Sequence, residues 1–293
     1  NEVNAPWLFD QWDQKDDLVN RSGLNIYREI GNPLAREVGR RYIDRDLNRS
    51  FSSDLFNSID STKIYEINRA KQLLDKYGFD GENPCNIALD FHSTTAFMGC
   101  CLVVYGRRPA DLALAALIQH HLGLPIYLHE GDPAQKGFLA ESWPCGLVIE
   151  IGPVPQGLLH AKIIQQTRLS LEVALEEISK VKLGNSHFPE KVIIHRHLKS
   201  VDFPRDFQGL PKSYIHEDRQ GKDWIPIHKG DPLFGNESGE TSSINTTSPL
   251  VPLFINEAAY LEKNIAMSLS YREVWDFKNN WFKELKNLVL ESY

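Results

Sequence analysis

This sequence predicts an α/β protein in which a mainly parallel or mixed central sheet, flanked by helices, is followed by a smaller C-terminal β-rich domain. Three observations lead there. Up to about residue 182, short apolar runs without a polar face alternate with longer amphipathic stretches, the pattern of strands buried on both faces and joined by helices. After KLGNSHFPE come short strand-like pieces separated by Gly, Pro, Asn and Asp, a β-rich signature. The length, 293 residues, suits one large domain or two unequal ones with ample core. The division expected is 1–185 and 186–293.

The elements follow in order. Residues 3 to about 18 read as a helix with Pro6 near its first turn, where the absent N–H costs nothing. GLNIYREI is strand-like, and NPLAREVG is a short helix stopped at a glycine. TKIYEINRAKQLLDKYG places Ile64, Ile67, Leu73 and Leu74 at helical spacing ahead of a Gly stop. NIALDF, GCCLVVYG, PIYLH and GLVIEIG read as buried strands; ADLALAALIQHHLG and LLHAKIIQQTRLSLEVALEEISKV read as helices between and after them. In the second part, KVIIHRHLKSV, SYIHE, DWIPIH, DPLF and LVPLFINEAAY are strand-like. GNESGETSSINTTSP is a polar hairpin tip or loop, and VWDFKNNWFKELKNLVLESY forms a terminal amphipathic helix.

Composition narrows the function. Hydrophobic content of 42% and charge of 24% are ordinary for a globular protein. No apolar run is long enough to span a bilayer, no signal peptide is visible, and the four cysteines lack a CxxC pair. The expectation is a cytoplasmic protein with reduced, buried thiols and no membrane partner. A net charge of −7 argues against nucleic acid. Against that acidic background, RRYIDRDLNR gathers Arg40, Arg41, Arg45 and Arg49. It reads equally well as a solvated charged loop and as an anion clamp of guanidinium groups.

Sites in open α/β sheets gather beyond the carboxyl ends of strands. NIALDFHSTT ends in Asp90 and His92, and GLVIEIGP carries Glu150 inside an apolar run. A lone strand-end histidine is more often structural than a ligand. A carboxylate interrupting LVI–IG is more telling, because an unpartnered buried carboxylate is costly. His195 and His197 share a strand face without a nearby acid or thiol, His120 and His121 fall at a helix end where imidazolium suits the dipole, and His129-Glu130 has no second signal. GxSxG, Walker A, GxGxxG and HExxH are absent.

Four blocks, RYIDRDLNRSF, DFHSTTAFMG, VIEIGPVPQG and FINEAAY, in this order and at these separations, resemble the aspartoacylase/succinylglutamate desuccinylase family of zinc carboxypeptidase-like hydrolases. The resemblance runs from residue 1 to about 265. It implies one Zn2+ per subunit, held by a His-Gly-Asn-Glu block and a later strand-end histidine. The chain opens on the Asn and Glu of that block, so Glu2 and His92 are the implied ligands, with the first histidine expected just before residue 1. Without that histidine the chain as given is one protein ligand short, and is expected to bind zinc poorly or not at all. Asp90, two positions before His92 on an alternating strand, is expected to support the site. The resemblance further implies Glu150 as general base, Arg41 as the oxyanion-stabilising donor, Asn48 and Arg49 as the grip on the substrate carboxylate, and Tyr260 as the residue closing over the substrate, with Lys263 nearby.

One departure stands out. Aspartoacylases carry a further arginine before the Glu-bearing strand, and DPAQKGFLAESWPCG has none. Lys136 is the nearest cation there, a less directional grip than guanidinium. The family also often has Asn where this chain has Ser93. The activity implied is therefore deacylation of N-acetyl-L-aspartate or a closely related small acidic N-acyl amino acid. The alternatives are an aminoacylase for neutral or aromatic N-acyl amino acids, then a succinylglutamate desuccinylase, then a zinc-free, non-catalytic binding protein. Family members are often homo-oligomers, and a homo-oligomer is possible here.

Overall fold

The computed structural model describes residues 1–12, 23–59, 61–132 and 135–291. Helices α1 (Asn4–Gln11), α2 (Pro33–Glu37), α3 (Ser53–Phe56) and α4 (Tyr65–Tyr77) precede strands β1 (Ile87–Ser93) and β2 (Cys100–Tyr105). Then come α5 (Pro109–Leu122), β3 (Ile126–His129), β4 (Cys145–Ile151) and α6 (Ala161–Leu183). The last part holds β5 (Lys191–Val201), β6 (Tyr214–Ile215), β7 (Pro232–Gly235), β8 (Thr241–Ser243), β9 (Val251–Leu253), β10 (Met267–Asp276) and α7 (Asn279–Leu290).

Seven strands form one mixed sheet in the order β1-β4-β2-β3-β5-β10-β9, and β6-β7-β8 form a small antiparallel sheet. The α/β class holds, and the C-terminal part adds the small antiparallel sheet, while its β5, β10 and β9 also extend the main sheet. Strand β5 pairs in parallel with β3, and β10 pairs antiparallel with both β5 and β9. The change of composition after residue 182 therefore marks a change of connection, not the end of the sheet. Val192 and Ile194 of β5 are buried in the same core as β2 and β4. The polar stretch 235–249 does make a hairpin turn, between β7 and β8.

Two further expectations are corrected. GLNIYREI is not a strand: the Arg69 side chain takes the carbonyls of Ile30 and Gly31 at 2.9 and 2.8 Å, in place of a sheet neighbour. VWD belongs to β10, which ends at Asp276, so the terminal helix starts only at Asn279. The first helix is seen over Asn4–Gln11; its expected continuation toward 18 lies outside the described residues.

Alternation along the strands separates two faces. Leu102 and Val104 of β2 and Leu147, Ile149 and Ile151 of β4 pack under α5, α6 and α7. Helix α5 is apolar nearly all round, with every residue from Ala110 to Ile118 buried, as a helix enclosed by its neighbours requires. The opposite face presents Cys101, Val103 and Val148 to Val251, Leu253 and Phe254 of the C-terminal part. Glu150 follows Val148 by two residues and shares this second face. Among the described residues no helix is long and apolar enough to cross a membrane.

Candidate active site

Strands β1 and β4 run parallel, with His92 the register partner of Glu150. Adjacent strands sit about 4.8 Å apart, so both side chains leave the same end of the sheet. Asp90 shares the face and brings Oδ2 to 3.0 Å from His92 Nε2. On the other side of the ring, Glu2 Oε2 and Oε1 lie 3.2 and 3.5 Å from His92 Nδ1. Buried Asn4 holds Glu2 in place: its amide donates to the Leu158 carbonyl at 3.0 Å and accepts from the His160 N–H at 2.8 Å, tying the start of α1 to the loop after β4. The Ser93 N–H then donates to Glu2 Oε2 at 2.7 Å.

The arginine-rich loop is shaped by a residue that looks, in sequence, like part of a polar helix face. Glu66 of α4 is fully buried. It accepts the backbone N–H groups of Ile43, Asp44 and Arg45 at 2.6, 3.0 and 3.2 Å. This turns Arg41 inward, where it pairs with Asp46 at 3.0 Å and approaches Glu2 at 3.5 Å. Arg41 and Arg49 line the cavity with Glu2, His92, Glu150 and Tyr260; Arg40 and Arg45 do not. Asn48 also lines it, but its amide is engaged, donating to Asp90 at 3.2 Å and accepting from the Leu139 N–H at 2.7 Å. Arg49 donates to the Asn48 carbonyl and to Gln135 Oε1 at 2.8 Å and lies over the Phe138 ring. Gly137 makes that contact possible: its φ is +79°, and a Cβ there would come within 3.1 Å of the Arg49 carbonyl oxygen.

Electrostatics sharpen the picture. Burial pushes the Glu150 carboxyl up to about 8, with Glu2 and Glu257 adding and His92 opposing. Burial alone would discharge Glu2 and His92, but their mutual attraction outweighs it. Glu2 is held below its usual range by His92, Arg41 and the Ser93 N–H, and His92 is held well above its own by Asp90 and Glu2. Arg41 resists desolvation through Asp46 and Glu2.

The C-terminal part closes the site through a short 3-10 turn, Ala258–Lys263, which carries Tyr260 against Phe254 with ring centroids 5.5 Å apart. Buried Glu257, just before it, accepts from the Thr95 and Ala96 N–H groups at 2.8 and 3.0 Å and from the Thr94 hydroxyl. One carboxylate thus fastens the closing turn to the loop that follows His92. Lys136 is exposed and Lys263 sits 3.8 Å from Glu262; neither lines the cavity. Gln135, Phe138 and His129 line it instead. Sequence reasoning missed Asp46, Glu66, Glu257, Gln135 and Phe138, and set His129 aside for want of a second signal. For His129, at the end of PIYLH, the strand-end rule was the available signal.

Glu2 and His92 suit a bound zinc. Ligands about 2.0–2.1 Å from a tetrahedral zinc stand roughly 3.3 Å apart, which matches the 3.2 and 3.5 Å between His92 Nδ1 and the Glu2 oxygens. Asp90 on Nε2 is the carboxylate partner that a ligating histidine ordinarily has. A separate cluster, His121, Glu176 and Glu177, also has cation-ligand spacing. It lies on the helical face of the sheet, and Lys180 already bridges its two carboxylates at 2.7 and 2.9 Å. It reads as an ion-pair cluster joining α5 to α6.

Comparison with known proteins finds relatives over most of the chain. Residues 1–178 match the family model described as succinylglutamate desuccinylase/aspartoacylase catalytic domain, and residues 190–272 match the AstE/AspA barrel-sandwich hybrid domain. The chain is similar to a protein named "Probable aspartoacylase" of Prochlorococcus marinus, 59% identical over 292 residues, covering 99% of this chain and 95% of that one. A protein of the same name from Parasynechococcus marenigrum is 52% identical over 290 residues, covering 99% and 95%. Among solved structures, murine aminoacylase 3 superposes with a TM-score of 0.82 at 32% identity, covering 94% of this chain and 93% of that one. Succinylglutamate desuccinylase from Vibrio cholerae shares the fold, with a TM-score of 0.61 at 17% identity and coverage of 92% and 78%.

Proposed function

Because the chain belongs to the succinylglutamate desuccinylase/aspartoacylase family, hydrolases of amide bonds, we propose that it is a zinc-dependent amidohydrolase cleaving N-acyl amino acids, N-acetyl-L-aspartate first among them, to a carboxylate and a free amino acid. The observation that carries this reading is the convergence of Glu2, His92, Glu150, Arg41, Arg49 and Tyr260 on one cavity. Glu2 and His92 would hold the zinc, together with the histidine that the resemblance places ahead of Asn1. Bound there, the metal supplies Lewis acidity toward the acyl carbonyl and lowers the pKa of water.

The chain's own groups do the rest. Glu150 removes a proton from the attacking water and passes it to the departing amine. Its pKa near 8 in the free cavity is raised partly by the charge of Glu2, so neutralising Glu2 shifts it back toward the carboxylate a base requires. Arg41, fixed by Asp46, donates to the oxygen on which negative charge grows; such a donor is worth about 3–4 kcal/mol of barrier. Arg49 takes the substrate's α-carboxylate, Asn48 orients His92 and Asp90, and Tyr260 covers the bound molecule.

A second reading, a neutral or aromatic N-acyl amino acid, is favoured by one observation: beside Arg49 the cavity is walled by Tyr105, Tyr127 and Phe138, and the Lys136 side chain is elsewhere. The test is amino acid release by the full-length, zinc-loaded protein from N-acetylaspartate, N-acetyltyrosine and succinylglutamate. Release is expected to stop on chelation and return with zinc. No release from any of them, or no bound zinc, overturns the proposal.

A further inference from the structure

Next to Arg49 the cavity has a part that bond cleavage does not use. Phe138 stacks on Tyr105 with centroids 3.9 Å apart, and the Arg49 guanidinium lies 3.9 Å over the Phe138 ring. His129, the last residue of β3, stands 5.6 Å from both rings and is 6% exposed. Its Nδ1 is 3.3 Å from the Tyr127 hydroxyl, while its buried Nε2 has no hydrogen bond of ordinary geometry. A buried polar atom without a partner weakens a fold, and in a cavity wall it is the atom a ligand completes.

Charge accounting points to the ligand. Arg41 is engaged by Asp46 and Glu2. Among the described residues Arg49 forms no ion pair, so it is the cation available to an incoming carboxylate. One guanidinium suits one carboxylate, and N-acetylaspartate brings two. We propose that His129 determines side-chain specificity: neutral in the free protein, it takes up a proton when the substrate's second carboxylate reaches Nε2, and so becomes the second cation. This rests on the N-acyl amino acid reading above.

The surroundings fit such a switch. Tyr127 on β3, Tyr105 from β2, His197 from β5 at 5.0 Å, Asp132 and Arg49 are the titratable or charged groups facing the ring. Burial and His197 push His129 down to about 4, Arg49 adds to this and Asp132 opposes it. A carboxylate hydrogen-bonded to Nε2 raises such a group by roughly 1–3 pKa units. The proton comes from solvent. In the complex Nε2–H donates to the substrate carboxylate and Nδ1–H donates to the Tyr127 hydroxyl, which turns to accept.

The experiment compares kcat/KM for N-acetylaspartate with that for N-acetylasparagine, its uncharged isostere, from pH 8 to pH 5.5 on the zinc-loaded enzyme. The ratio cancels the protonation steps both substrates share. The side-chain carboxyl itself titrates near 3.9, about 1.6 units below this range. The ratio is expected to rise up to about tenfold per pH unit on acidification below about pH 7, and to lose that rise in His129→Gln. A ratio independent of pH, or a slope that survives in His129→Gln, overturns the assignment, as does turnover of N-acetylasparagine without any of N-acetylaspartate. If His129→Gln fails to fold, Glu150→Gln decides: at pH 5 it should take up roughly half to one proton per N-acetylaspartate bound and none with N-acetylasparagine, and equal uptake with both overturns the idea. Failure of the underlying reading is distinct, because then no N-acyl amino acid is hydrolysed at any pH.

Discussion

Where the amide bond would be cut, Glu2 is held by His92, Arg41 and Ser93, and His92 by Glu2 and Asp90. A short distance away, beside Arg49, the wall is made of rings, and the buried His129 Nε2 has no hydrogen bond of ordinary geometry. In the first region each of these side chains has more than one partner. The second is under-determined, and its character depends on what enters. The proposed chemistry falls in the one, and the proposed selectivity in the other.

Three substitutions test that contrast, in order of expected size. Glu150→Gln removes the base but keeps its shape, and the carboxyl it replaces is pushed up to about 8. At pH 7 the fold should gain up to about 3 kcal/mol, because the buried carboxyl must take up a proton that Gln does not need, while kcat falls about 10^3-fold. A large loss of stability would show that the ionised carboxylate holds the fold. Glu257→Gln keeps some of the acceptors for Thr94, Thr95 and Ala96 but loses the charge. About 1–3 kcal/mol of stability should go, and KM should rise more than kcat falls, as steady-state kinetics beside a denaturant titration would reveal. If only stability changes, the closing turn does not govern substrate retention.

The third concerns acid stability. His129 is depressed to about 4 in the folded state from about 6.5 unfolded. The unfolded chain therefore binds the proton first, so stability present above pH 6.5 is lost as pH falls toward 4. The most this group contributes is about 3 kcal/mol. Denaturant midpoints measured at pH 7, 6 and 5 should fall less in His129→Gln than in the parent. Parallel curves would mean that the ring is not neutral when buried.

Much of the candidate site's lining was legible in the sequence. Arg41, Asn48, Arg49, His92, Glu150 and Tyr260 all line one cavity, because strand ends and quoted motifs mark them. What stayed hidden depends on contacts between distant segments. Glu66 looks like an ordinary polar helix residue until residues 43–45 fold over the start of α4. His129 obeyed the strand-end rule, yet nothing in sequence shows that Tyr105 and Phe138 will surround it. Strands β5 and β10 read as a separate domain because composition records turns and loops, whereas sheet membership is decided by which edge is open.

That open edge has a consequence for how the chain is handled. A cut between α6 and β5 would not release two independent bodies. It would strip β3 of its parallel partner β5 and bare a row of unpaired amides and carbonyls along the middle of a hydrophobic sheet, the kind of edge that recruits other chains. The two matched family segments, 1–178 and 190–272, thus share one sheet, and separating them should expose that edge.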